Sequence, residues 1–163
     1  MDMNPAHYHL VLNHLPIIVP IVGLLVMIAG HIFRVETVKR TDYCIFIFGA
    51  LCTIPAFATG EGAEETIEKI QGINEKLIKT HEETAETFAI LSYLLGATSL
   101  LGLWANWKQK SFATLLSVAI MIYCGVVMFF AKQTGTTGGE IRHTEIRSGG
   151  SINQSSPEAE EDH

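Results

Sequence analysis

Four long apolar stretches divide the chain, over residues 15–33, 43–59, 87–104 and 112–131. Each is close to the roughly 20 residues that a helix needs to cross a bilayer core. They mostly lack the polar face that a helix keeps in water, so a soluble bundle of buried helices is the weaker alternative. The pattern predicts an all-α, integral membrane four-helix bundle over residues 1–147, with an outer helical link at 61–80. Residues 148–163 are rich in Gly, Ser, Asn and acids and read as a disordered acidic tail.

Shorter signals refine these elements. Asn13 is an N-cap candidate for the first span, with Pro16 in the first turn and Pro20 a turn deeper, where it should bend the helix. Thr59-Gly60 marks the end of the second span. Residues 63–70 look helical, Gly72 interrupts them, and Asn74 can cap a helix that runs into the third span. On that helix Leu77, His81, Ala85 and Phe88 share a face, which carries His81 over the mouth of the bundle. Thr80-His81-Glu82-Glu83 has the form of a capping box. Ser92, Gly96, Ser99 and Gly102 permit close helix approach in lipid. After the fourth span, Gly135, Gly138 and Gly139 permit tight turns that would fold the chain back over the mouth.

Charge sets an expected orientation. Arg34, Lys39 and Arg40 lie in the first link, and Lys108 and Lys110 in the third. Short basic links mark the cytoplasmic side, which puts both termini outside, with Trp104 and Trp107 at the inner interface. The start has no basic residue before the first apolar stretch and no good cleavage site, so that stretch is expected to be a retained span. The net charge of −6 argues against nucleic-acid binding, which needs a basic surface. Cys44, Cys52 and Cys124 fall inside or beside spans without a CxxC spacing and read as packing residues. His31 reads as a snorkelling or interfacial side chain.

The candidate chemistry gathers at the outer face. His7, His9, His14, His81 and His143 come from three separate stretches, accompanied by Glu61, Glu64, Glu82, Glu140 and Glu145. Imidazole and carboxylate bind metals and handle protons. On one helix His7 and His14 would lie about 10.5 Å apart on a shared face, and His9 would be turned by roughly 200° from His7. If the stretch is extended instead, His7 and His9 point the same way. His14 and His81, on facing helices at the membrane boundary, are the candidate axial ligands of a b-type haem, with His143 as substitute and Arg142 or Lys132 as propionate partner. A transition metal ion held among His7, His9, His14, His81, His143, Glu61 and Glu140 is the competing chemistry. A proton relay or a cofactor-free polar cap that docks a partner completes the alternatives. Glu64, Glu65 and Glu68 read as a solvated helix face. No nucleophile–base pair, phosphate loop or nucleotide fingerprint is present, so an enzyme is not the expectation.

The string from His7 to Pro16, Thr59-Gly60-Glu61, His81-Glu82 and Gly138-Gly139-Glu140-Ile141-Arg142-His143 together resemble bacterial four-span membrane proteins of unknown function, of the DUF2231 type. The resemblance covers roughly residues 5–147. Some such proteins are joined to or stand beside c-type cytochrome or Rieske modules. That implies a bacterial inner-membrane, multi-pass protein linked to respiratory electron transfer, with a periplasmic or membrane redox protein as partner.

Overall fold

The computed structural model describes residues 4–69, 74–143 and 146–147. Six helices follow in order: α1 Pro5–Leu12, α2 Leu15–Ile32, α3 Glu36–Ala58, α4 Gly60–Glu68, α5 Glu75–Trp107 and α6 Ala113–Arg142. Among the described residues, four helical stretches are long and apolar enough to cross a membrane. α3 packs along both α2 and α5, α5 packs along α6, and a lighter α6–α2 contact closes the ring, while α1 lies on α4. The predicted all-α bundle is therefore observed. The proposed acidic tail lies outside the described residues.

Large apolar side chains also cover the outside. Leu25, Ile122 and Leu115 are 63%, 66% and 74% exposed. Helices apolar on both faces suit a surface in lipid rather than water. The core between them is built from Met27, Tyr43, Phe46, Phe88, Leu95, Ile120 and Val127. Small residues set the close crossings. A Cβ on Gly96 would stand 2.5 Å from the Cβ of Ala50, and one on Gly102 would stand 2.5 Å from the Tyr43 ring. The small-residue stripe expected on α5 is thus used for contact with α3.

Two tight turns close the end that carries the basic links. After α2, Val35 N–H donates to the Gly30 carbonyl and Arg34 N–H to that of His31; after α5, Lys110 donates to Ala105 and Gln109 to Asn106. This paired pattern is a Schellman stop, and it requires a left-handed residue. Arg34 and Gln109 supply it with φ of 55° and 48°.

Several local expectations are corrected. Asn13 caps no helix start. Asn4 does so, accepting a hydrogen bond from His7 N–H, with Pro5 opening α1, and Asn13 closes that helix instead. The lead-in is consequently helical, and the turn falls at Asn13–His14. Thr80 is no cap either: α5 has already begun at Glu75 under Asn74, whose side chain accepts from Lys76 N–H. The Thr80 hydroxyl donates back to the Lys76 carbonyl. Finally, the glycine-rich stretch does not fold back. α6 continues through it to Arg142, because a helix keeps satisfying backbone groups that an open turn would leave to solvent.

Candidate functional site

The site lies where α1, the α3–α4 junction, α5 and α6 meet, at what is called here the histidine end. His9 is half-buried. Its Nδ1 stands 3.0 Å from the Ala56 carbonyl oxygen and 3.3 Å from Thr59 Oγ1. A carbonyl only accepts, so Nδ1 carries the proton and Nε2 keeps its lone pair. His81 is also half-buried, with Nδ1 at 3.1 Å from Thr137 Oγ1. The Thr137 hydroxyl donates to the Thr134 carbonyl, which leaves its oxygen to accept from Nδ1–H. Both imidazoles are therefore fixed in the same tautomer by protein oxygens, an arrangement typical of histidines that present the other nitrogen to a metal.

Glycine makes room for the His81 ring, whereas beside His9 a Cβ would meet ordinary contact. A Cβ on Gly138 would come within 2.9 Å of His81 Cε1, and one on Gly60 would meet His9 Cε1 at 3.8 Å. The continuation of α6 through its glycines thus seats His81 against the helix itself.

Burial holds the His81 imidazole below its ordinary pKa, and the nearby His9 adds to the effect. His9 is likewise lowered by burial, against the opposing hydrogen bond to Ala56. Both lie beyond the apolar stretches, and both favour the neutral, ligating form. The two side chains stand within Coulombic reach of each other. Beside them, Glu64 is raised above the ordinary carboxylate value by desolvation and then by Glu82, Glu68 and Glu61.

Among the other histidines, His9 is the one that acts on His81 electrostatically. His14 is exposed, and its Nδ1 bonds the Leu10 carbonyl of its own segment at 3.0 Å. His7 is exposed on α1; His143 and Arg142 are exposed at the end of α6; Lys132 is exposed one helix face away from the core. Glu61 lies exposed in the first turn of α4, and Glu140 is half-buried near the α6 terminus. Arg147 turns back to donate to the carbonyls of Glu140 and Ile141. Glu145 lies outside the described residues. Glu64 belongs to the acid group at the site rather than to a fully solvated face. Among the described residues, no group of three or more His, Cys, Asp or Glu side chains is gathered to hold a metal ion.

Sequence reasoning missed Thr137 and Gly138 as the seat of His81. Their signal was available in the Thr134-x-x-Thr137 pattern of helix-facing hydroxyls. It also took His31 for an interfacial side chain. His31 is half-buried and joins α2 to α6, with Nδ1 at 2.9 Å from the Met27 carbonyl and Nε2 at 2.7 Å from Ser117 Oγ.

No protein-family model, curated protein or solved structure matches the chain.

Proposed function

We propose that this chain is a multi-pass redox accessory protein of a bacterial inner membrane, with both termini outside, that binds a b-type haem through His9 and His81. The observation that carries the reading is the pair of imidazoles from different helices, each with Nδ1 tied to a protein oxygen and Nε2 in its lone-pair form. Two neutral imidazoles suit the two axial positions of a haem. A zinc or copper ion would ask for three or four protein donors, and no such group is gathered among the described residues. The donor set therefore fits haem better than an ion. A bound haem would supply one-electron transfer between a periplasmic donor and a membrane partner.

The chain's own groups would do the rest. Ala56, Thr59 and Thr137 hold the ring orientations, Gly138 gives the His81 ring space, and Arg142 lies one helical turn beyond Gly138, where its charge could meet a propionate. His14 and His143, exposed at the same end, stand in reserve as ligands. The resemblance to four-span proteins associated with redox modules points in the same direction. A second reading, a structural polar cap that docks a partner, is favoured by the tight seating of His81 on Gly138.

The test is a visible spectrum of the protein purified in mild detergent, before and after dithionite, with elemental analysis. A Soret band with sharp reduced α and β bands, abolished or shifted in His9→Ala and His81→Ala and retained in His14→Ala, is the expected result. Colourless protein with stoichiometric zinc or copper would move the site to the ion reading. Colourless, metal-free protein would leave the polar cap.

A further inference from the structure

A second polar centre lies inside the bundle toward the opposite, basic end. Asp42 on α3 is completely buried, as are Tyr43 and Ser99. Both carboxylate oxygens of Asp42, the Tyr43 hydroxyl and the Ser99 hydroxyl have no hydrogen-bond partner among the described residues. These atoms share one level of the structure. The Tyr43 ring lies against Gly102, and Ser99 is one turn from Gly102 on the same buried face of α5. Asp42 lies close enough to the Tyr43 hydroxyl and the Cys124 thiol on α6 to act on both electrostatically.

A polar cavity of about 310 Å³ opens at the basic end, lined by Glu36, Lys39, Arg40, Asn106, Thr114 and Ser117. Ser117, almost fully buried, lines it from α6. Its Oγ is 2.7 Å from His31 Nε2 and 3.0 Å from the Thr114 carbonyl oxygen. It also neighbours the Tyr43 hydroxyl without reaching hydrogen-bond geometry. His31 Nδ1–H donates to the Met27 carbonyl. If His31 is neutral, the Ser117 hydroxyl must donate to Nε2. If His31 is protonated, Nε2–H donates and the hydroxyl turns to Thr114.

An ionised carboxylate without a partner in an apolar interior is heavily penalised, and an ionisable group among membrane helices is characteristically a proton or ion site. We propose that Asp42 is a proton-binding site, loaded from the basic-end cavity through Ser117, His31 and Tyr43. In the step, a proton from water in the cavity passes along these groups and forms an O–H bond with the Asp42 carboxylate; no electrons change hands. The groups that face Asp42 or its route are Tyr43, Lys39 and Glu36 from α3, His31 from α2, Asn106 from α5, and Cys124 and Ser117 from α6. The basic partners at the cavity are already engaged: Lys39 with Glu36, and Arg40 with Asn106.

Dicyclohexylcarbodiimide, an apolar reagent for protonated carboxyls, tests this on the full chain in detergent, with the adduct mapped by mass spectrometry. At neutral pH Asp42 should label about tenfold faster than exposed Glu61, because burial without a partner favours the neutral acid. The rate should fall as pH rises and stay unaffected by sodium. Tyr43→Phe should slow the response of this labelling to a pH jump. Ser117→Ala should slow its response to a pH jump several-fold. Labelling of Asp42 no faster than that of Glu61 at every pH would overturn the proposal. So would saturable protection by sodium at fixed pH, which would identify a cation site instead. The readout is the wild-type adduct, so it does not depend on a variant folding or on haem.

Discussion

The two ends of the bundle hold their polar groups by opposite means. At the basic end, unlike groups form a chain. Lys39 donates to Glu36 at 2.8 Å, Arg40 donates to the Asn106 side-chain oxygen at 2.7 Å, and the Asn106 amide donates to Glu36. At the histidine end, each imidazole is tied through one nitrogen to uncharged oxygens, and the acids around Glu64 face other acids. A chain of unlike groups fixes geometry by pairing each donor head with an acceptor. Singly tied imidazoles fix geometry and keep a lone pair in hand. The contrast separates an end whose charges answer one another from an end whose ring nitrogens keep a lone pair open.

Filling the space beside His81 should break the comparison most sharply. Gly138→Val places a Cβ about where His81 Cε1 lies within 2.9 Å, so α6 and the ring must part at a cost of about 1–3 kcal/mol. Thermal unfolding should show that loss, and any haem spectrum should go with it; an unchanged melting temperature would mean that the ring is not seated there. At the other end, Glu36→Ala strips an acceptor from both Lys39 and Asn106. It should cost about 1–2 kcal/mol while leaving the spectrum intact. A spectral change in that variant would show that the two ends are not independent.

Acid should tell the ends apart without mutation. The folded pKa values of His9 and His81 lie below their ordinary 6.5. The stability tied to keeping them neutral is complete above that value. It is lost as pH falls toward the lowered folded values, since the unfolded chain takes up protons first. Melting followed between about pH 8 and pH 5 should therefore decline, and His81→Gln should flatten the decline. The smallest effect concerns the acids. Glu64→Gln removes like-charge contacts with Glu61 and Glu68 and should stabilise by about 0.2–0.5 kcal/mol, visible as a slight rise in melting temperature.

Much of the fold was legible because hydropathy and spacing act locally. The four apolar stretches, the Asn74 cap and the inward face of Leu77, His81, Ala85 and Phe88 needed only periodicity. The partner of His81 was not legible. It depends on α1 folding onto α4, where Pro5 packs against Gly62, a contact between segments far apart in sequence. The helical course of Gly135, Gly138 and Gly139 was hidden for a similar reason: glycine's freedom argues for a turn until a neighbour, here the His81 ring, rewards the helix. Asp42 escaped notice because it stands at the edge of an apolar stretch. It nevertheless shares helical spacing with Phe46, Gly49 and Thr53, all buried, and that register was the signal for its burial.

The length of α5 has a mechanical consequence. Its 33 residues make a rod of about 50 Å, against a hydrocarbon thickness of roughly 30 Å. His81 and Ser99 ride on that one rod. A docked molecule that tilted the whole rod at its His81 tip would carry Ser99 with it, about 27 Å away along the same axis.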